Sequence, residues 1–214
     1  MFSRLIKPQM GNIHPQYMKF VKWSMLSNVI VSFETAISTH NMLASLNGGE
    51  NTHVTINYIG KDIIGQLGSL YYINKVSQTI DKNPYNIVQK CNIMQQFSYM
   101  CICTAPFIDT LWFLPITGLA NILVNLSFTG FGAVNAICIK KLSNDNIGEI
   151  YSKLTIVNTM SSSIGLCIGV AFNTIINDPI INCIMIPISG IMRVITLNKS
   201  LDALNIHKGI KTKI

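Results

Sequence analysis

The sequence predicts an all-α fold, a multi-helix bundle embedded in a membrane with about three to five apolar helices. Three observations carry that expectation. Of 214 residues, 49% are hydrophobic and only 12% charged, roughly half the charged share usual in soluble globular domains. The charges gather toward the ends of the chain, with Arg4, Lys7, Lys19 and Lys22 at the start and Lys199, Lys208, Lys211 and Lys213 at the finish. Between them run long stretches without any charge, at 91–108, 110–139 and 154–177. A helix that crosses a bilayer needs about twenty mainly apolar residues, and these windows approach or meet that length.

Residues 1–16 read as an irregular arm broken by Pro8, Gly11 and Pro15, and 17–214 as a single helical domain. From Tyr17 a helix is expected, with Phe20, Trp23, Leu26, Ile30, Phe33, Ile37 and Leu43 at helical spacing on its packed face. Serines, asparagines and threonines fill the opposite face, and Gly48-Gly49 is a suitable C-cap. A second helix is expected over 52–80, where Gly60, Gly65, Gly68 and Ser69 let a neighbour come close. Each interior glycine costs about 1 kcal/mol relative to alanine, so the set asks for a packing reason. Asp81 to Pro84 breaks the chain, and Pro84 suits the start of the next helix. Pro106 and Pro115 bracket a second break, giving elements near 86–105 and 110–139. A hydrophilic loop over 140–153 leads into the run at 154–177, Asp178-Pro179 ends it, and a last apolar run occupies 180–197. Asn121, Asn125, Asn158 and Asn173 suit helices packed on one another better than helices facing lipid.

The alternative is a soluble helical interaction domain with an unusually apolar core. A soluble helix shows a charged face, and 110–139 has none. The short connections and scattered lysines leave the orientation across a membrane undetermined by the positive-inside rule.

The net charge of +7 permits nucleic acid or an anionic lipid surface as partner. Two arginines in the whole chain disfavour nucleic acid, whose binders cluster arginine on one surface, so no nucleic-acid partner is expected. Most of the six cysteines stand in apolar runs and read as buried and reduced; Cys101-x-Cys103 has neither redox nor zinc spacing. The four histidines are isolated from one another, and no metal or cofactor is expected. The first 22 residues lack the apolar core of a signal peptide. Gly65-x-x-Gly68, Gly130-x-Gly132 and the Ser161–Gly165 stretch match no nucleotide loop or nucleophile elbow and read as helix-packing features.

Two polar clusters stand out. Lys61 and Asp62 interrupt a helix otherwise short of charge, and an embedded charge needs a partner or a water-filled cleft. Lys140, Lys141, Asn146, Glu149 and Lys153 form a hydrophilic connection that could meet lipid headgroups. Glu149 and Lys153 also make an i,i+4 pair worth a few tenths of a kcal/mol.

Together these blocks resemble the root UVB sensitive family over most of the chain, from about Tyr17 to Lys211. The segment FETAISTHNMLASLNG at 33–48 is similar to that family's first helix. Its most diagnostic block is represented by Asn57, Tyr58, Lys61, Asp62, Ile63, Gly65 and Gly68, with tyrosine in place of a tryptophan and Ile63 in place of a glycine. A second block is similar at Leu119, Ala120, Asn121 and Asn125, where Val124 replaces a lysine and Asn135 falls at an arginine position. A third is kept as Asn146, Ile147, Gly148, Glu149, Ile150 and Lys153, and Leu197-Asn198 echoes a fourth. The resemblance implies a membrane-associated protein, plastid-located in plants and tied to ultraviolet-B response and early seedling development, with no settled enzymatic activity. The isoleucine and asparagine bias suits an A+T-rich genome, such as that of a large DNA virus or a protist.

The expected function is that of a non-enzymatic membrane protein, a scaffold or a binder of a lipid-like or hydrophobic ligand. A small-molecule transporter or carrier is the alternative. The lipid membrane is the expected partner, with a second copy of the chain or a related family protein beside it. Asn57, Lys61, Asp62, Gly65, Gly68, Asn121, Asn125, Asn146, Glu149 and Lys153 are the candidate functional or packing residues.

Overall fold

A computed structural model describes residues 7–8, 14–46, 60, 62–63, 65–66, 82–143 and 146–206. Among the described residues there are helices and no strands. The long helices are α1 (Tyr17–Leu46), α2 (Pro84–Cys103), α3 (Thr110–Leu142), α4 (Ile147–Ile175) and α5 (Pro179–Ala203), with a short 3-10 turn at Ala105–Phe107. Residues 60, 62, 63, 65 and 66 are helical, in keeping with a helix in that region; the rest of 52–80, and Gly48-Gly49, lie outside the described residues.

Local punctuation sets the helix starts. The Asn83 side chain accepts the Asn86 backbone N–H at 3.3 Å, with Pro84 at the first helical position. Asp178 repeats the device, accepting from the Ile180 N–H at 2.8 Å ahead of Pro179. The break bracketed by Pro106 and Pro115 falls at 104–109, and Pro115, within the element expected at 110–139, lies inside α3, as Pro187 lies inside α5. A proline forfeits one backbone hydrogen bond, and a long helix packed on its neighbours tolerates that loss. The loop at 140–153 is also shorter than expected, because α3 runs on through Leu142 and α4 begins at Ile147.

Helix α1 is the hub. It packs most extensively on α4 and α5 and also touches α2, while α3 packs chiefly on α2. Pairings fix the directions. Asn28 meets Asn158, and a Cβ on Gly169 would meet Ala36, so α1 and α4 run parallel. Asn41 Nδ2 donates to the Cys103 carbonyl at 2.9 Å, which places the C-terminal ends of α1 and α2 together. Asn182 Nδ2 donates to Asn41 Oδ1 at 2.6 Å, so α5 starts at that same end.

These directions correct the impression of scattered lysines. Lys19 and Lys22 (α1), Lys82 and Lys90 (α2), Lys140 and Lys141 (α3), Lys153 (α4) and Lys199 (α5) all come to one end of the bundle. Lys199 Nζ and Lys22 Nζ lie 4.3 and 5.8 Å from the centre of the Trp23 ring there. At the opposite end stand Asp109 and Asp178, which precede α3 and α5.

The face of α1 expected to be packed is only partly so. Leu26 and Leu43 are exposed, whereas Ser27, Ser32, Glu34, Ser38 and Asn41 are buried. Helix α5 shows the same inversion more completely. Asn182, Ser189, Gly190, Arg193, Thr196 and Ser200 face inward, and Ile180, Ile184, Ile188, Ile191 and Ile195 face out. Small residues line the upper inner face of α4, at Ser161, Gly165 and Gly169, with Ile164, Leu166, Ile168 and Val170 outside. At the basic end the core is conventional, built from Tyr17, Phe20, Leu142, Ile150, Leu154 and Val157.

Candidate functional site

Glu34 is the sole acidic residue of α1, and Arg193 stands in the otherwise uncharged 180–197 run of α5. Because α5 crosses the inner face of α1, the two meet in the interior, 0% and 3% exposed. Arg193 Nη1 lies 3.8 Å from Glu34 Oε2. The carboxylate accepts further hydrogen bonds from Gln96 Nε2, at 2.8 and 2.9 Å, and from Ser189 Oγ at 2.7 Å. Gly190 makes the Gln96 approach possible: a Cβ there would stand 2.5 Å from Gln96 Oε1. On its other side Arg193 Nη2 donates to Gln95 Oε1 at 2.5 Å, and Gln95 Nε2 donates to the Tyr99 hydroxyl at 3.0 Å. The Thr35 hydroxyl spends its hydrogen on the Val31 carbonyl, so Tyr99 donates to Thr35 Oγ1 across 2.9 Å. The guanidinium carbon lies 5.1 Å from the centre of the Phe131 ring. Two donors remain over. Arg193 Nε and Nη1 have no hydrogen-bond acceptor although both are buried. A buried ion pair of this kind needs its hydrogen-bonding capacity filled, since desolvation otherwise outweighs the Coulombic gain.

Arg193 also lines a cavity of about 300 Å³. Its walls come from α1 (Phe20, Ser24, Ser27, Asn28, Val31), α3 (Phe128, Phe131, Gly132, Asn135, Cys138) and α5 (Leu197, Ser200, Leu201), with Val88 and Asn158 from α2 and α4. Asn28 Nδ2 donates to Asn158 Oδ1 at 2.7 Å across one wall. Phe128 and Gly132 are both exposed on α3 and form the mouth. Gly132, read from sequence as a packing glycine, is not one: a Cβ there would meet nothing within 4 Å. Its neighbour Gly130 does pack, against Cys91 of α2.

Of the residues singled out by sequence, Asp62, Gly65, Asn121 and Asn125 come together. Asn121 Nδ2 donates to Asp62 Oδ1 at 3.0 Å, and a Cβ on Gly65 would stand 2.5 and 2.7 Å from the amide nitrogens of Asn121 and Asn125. Asn57, Lys61 and Gly68 lie outside the described residues. Asn146, Glu149 and Lys153 do not join this cluster. They occupy the start of α4, beyond the C-terminal end of α3, and Asn121 lies about 30 Å back along α3 at 1.5 Å per residue. Glu149 instead neighbours Tyr17, whose phenol is pushed up to about 12 by burial and, secondarily, by that carboxylate. Asn135, in the position of an arginine in the resembled family, lines the cavity.

Sequence reasoning missed Glu34 and Arg193. A signal existed for Arg193, which interrupts the otherwise uncharged 180–197 run, since a charge within an apolar helix asks for a partner. The cysteines are all free, as expected, but burial is uneven; Cys91, Cys103 and Cys138 are buried and Cys167 is exposed.

A family described as the vitamin B6 photo-protection and homoeostasis domain matches residues 11–208. The protein root UVB sensitive 4 of Arabidopsis thaliana is 22% identical over 206 residues, covering 93% of this chain. The match takes in 38% of that relative's length, so the chain corresponds to well under half of it. No solved structure matches the chain. With the family match spanning nearly its whole length and an all-helical fold to accompany it, the chain belongs to the root UVB sensitive family.

Proposed function

We propose that this chain is a non-enzymatic integral membrane protein that serves vitamin B6 homoeostasis by holding a small ligand in the cavity beside Arg193. The observation that carries the reading is the inverted pattern of α5 and upper α4, with polar and small residues inside and isoleucines outside. Water favours the opposite arrangement, and lipid favours this one. Helices α3, α4 and α5 are each long and apolar enough to cross a bilayer. The choice of binding over catalysis draws on the lining: among the described residues Arg193 and Cys138 are the cavity's ionisable groups, with no carboxylate or histidine there to move a proton. Asp62 with Asn121 forms a second polar contact in the same bundle and packs α3 against the segment around Gly65.

Alkaline carbonate extraction tests the membrane half. The protein should remain with the pelleted membranes, and recovery as a soluble, monodisperse monomer would overturn the reading. Mass spectrometry of detergent-purified protein tests the ligand half, with a retained small molecule as the expected result.

The gathering of lysines at one end adds an orientation. Lysine-rich ends stay on the side from which a membrane protein inserts. A membrane-impermeant maleimide should therefore label Lys140→Cys from that side and Asp109→Cys from the other, above the background of the parent protein. The reverse pattern would show that the basic end does not set the topology.

A further inference from the structure

The cavity has a chemistry of its own beyond its place in the bundle. Glu34 already offsets the charge of Arg193, and among the described residues no other cation lines the space. Nor does a helix start contribute free backbone donors: even Phe20, early in α1, gives its N–H to the Gln16 carbonyl. A phosphate monoester carries a charge of about −1.5 to −2 near neutral pH and needs several donors or cations to leave water. This cavity lacks them. What it offers is a planar guanidinium, 3% exposed, whose Nε and Nη1 make no hydrogen bond and whose carbon lies 5.1 Å from the centre of the Phe131 ring. Such a guanidinium, with N–H donors still to satisfy, fits neutral hydrogen-bond acceptors on the edge of a flat molecule. Phe128 and Phe131, three residues apart on one face of α3, supply aromatic surface for the ring itself. The volume of about 300 Å³ stands at the lower end of ligand cavities and is too small for a whole phospholipid. The mouth at Phe128 and Gly132 opens from the uncharged stretch of α3, so a ligand arriving through lipid must itself be uncharged.

We propose that the cavity beside Arg193 binds a small, uncharged, planar heteroaromatic molecule with hydrogen-bond acceptors along one edge, and that it rejects the phosphorylated form of such a molecule. Within vitamin B6 chemistry that selects the free vitamer over its phosphate ester. The proposal rests on the membrane and ligand-binding reading above and specifies the ligand class.

The test uses the full chain in phosphatidylcholine nanodiscs, with radiolabelled pyridoxine and pyridoxal 5′-phosphate as probes in equilibrium dialysis. Pyridoxine should bind saturably, one per chain, and at least about tenfold more tightly than the phosphate ester. Gly132→Leu adds bulk at the mouth, where a Cβ would meet nothing within 4 Å, so it should weaken pyridoxine binding at least about tenfold while leaving the melting temperature unchanged. The double variant Glu34→Gln/Arg193→Met, which leaves no net charge inside, should abolish binding. Equal or tighter binding of the phosphate ester would overturn the proposal, as would pyridoxine binding that Gly132→Leu leaves untouched or a phospholipid in the cavity that pyridoxine cannot displace. Carbonate extraction of the same protein separates the two levels. A chain that stays in the membrane and binds neither probe overturns the ligand class alone, whereas a chain that leaves the membrane overturns the reading beneath it.

Discussion

Arg193→Met alone should destabilise the bundle by about 3–5 kcal/mol, and Glu34→Gln alone by a similar amount, because each leaves a buried charge without its partner. Glu34 is 0% exposed and Arg193 3%, so neither survivor can reach water without opening the α1–α5 contact. The double variant Glu34→Gln/Arg193→Met should recover most of that loss. A glutamine at 34 still accepts from Gln96 and Ser189, and methionine can lie against Phe131 as the guanidinium did. One cost persists, since Gln95 Oε1 loses the donor it has in Arg193 Nη2. A residual loss of about 1–2 kcal/mol is therefore expected. Thermal unfolding of the four proteins in detergent gives the cycle, and a coupling of at least about 2 kcal/mol is the expected result. Additive single effects would mean that the two charges do not sense one another, and the buried pair would lose its place at the centre of the site.

Much of the architecture was legible because its signals are local. Pro84 after Asn83 and Pro179 after Asp178 mark helix starts by capping chemistry that involves only the next few residues. The uncharged runs gave the long helices α3, α4 and α5 for a similar reason, since length and apolar content are read without knowing any neighbour. Pro115 falls inside the element expected at 110–139, and α3, long and packed on α2, forgoes the one hydrogen bond that a proline removes.

The site was less legible. Asp62, Gly65, Asn121 and Asn125 were each singled out, as an embedded charge, a packing glycine and asparagines suited to packed helices, and they do meet, but that they meet one another depends on how α3 packs. Glu34 and Arg193 went unremarked because each stands alone in its stretch of sequence, and only the crossing of α5 over α1 makes them a pair. The inward face of α1 was misjudged for a related reason. Assigning Leu26 and Leu43 to the core assumes that water is outside, and both are exposed while Ser27, Ser32 and Glu34 are buried. The basic end is likewise a product of topology: Lys19 and Lys153 share it because α1 and α4 run parallel, which no short stretch of sequence reveals.

That parallel contact is the most extensive among the described helices, and its disruption should have an effect as large as that of the charged pair. Ser161, Gly165, Gly169 and Asn173 recur every four residues along α4 and are all buried. A Cβ on Gly165 would run into the Val29 carbonyl oxygen and stand 2.8 Å from Ser32 Cβ; on Gly169 it would stand 2.5 Å from Ala36 Cβ and 3.2 Å from the Phe33 carbonyl oxygen. Most of these obstacles are backbone or Cβ atoms, which cannot swing aside as the end of a long side chain can. Either helix must therefore retreat, and retreat loosens the contact that holds Glu34 in the interior. Gly165→Leu and Gly169→Leu should each cost about 3 kcal/mol or more, at or beyond the upper end of ordinary overpacking, and Gly165→Leu should be the worse of the two. Gly148→Leu is the control within the same helix, since a Cβ there meets nothing within 4 Å, and its effect should stay within about 0.5 kcal/mol. Melting of the three variants in detergent separates the two possibilities. Similar melting temperatures for all three would mean that α1 and α4 are not in backbone contact, and the four-residue stripe of small residues would have no part in holding the bundle together.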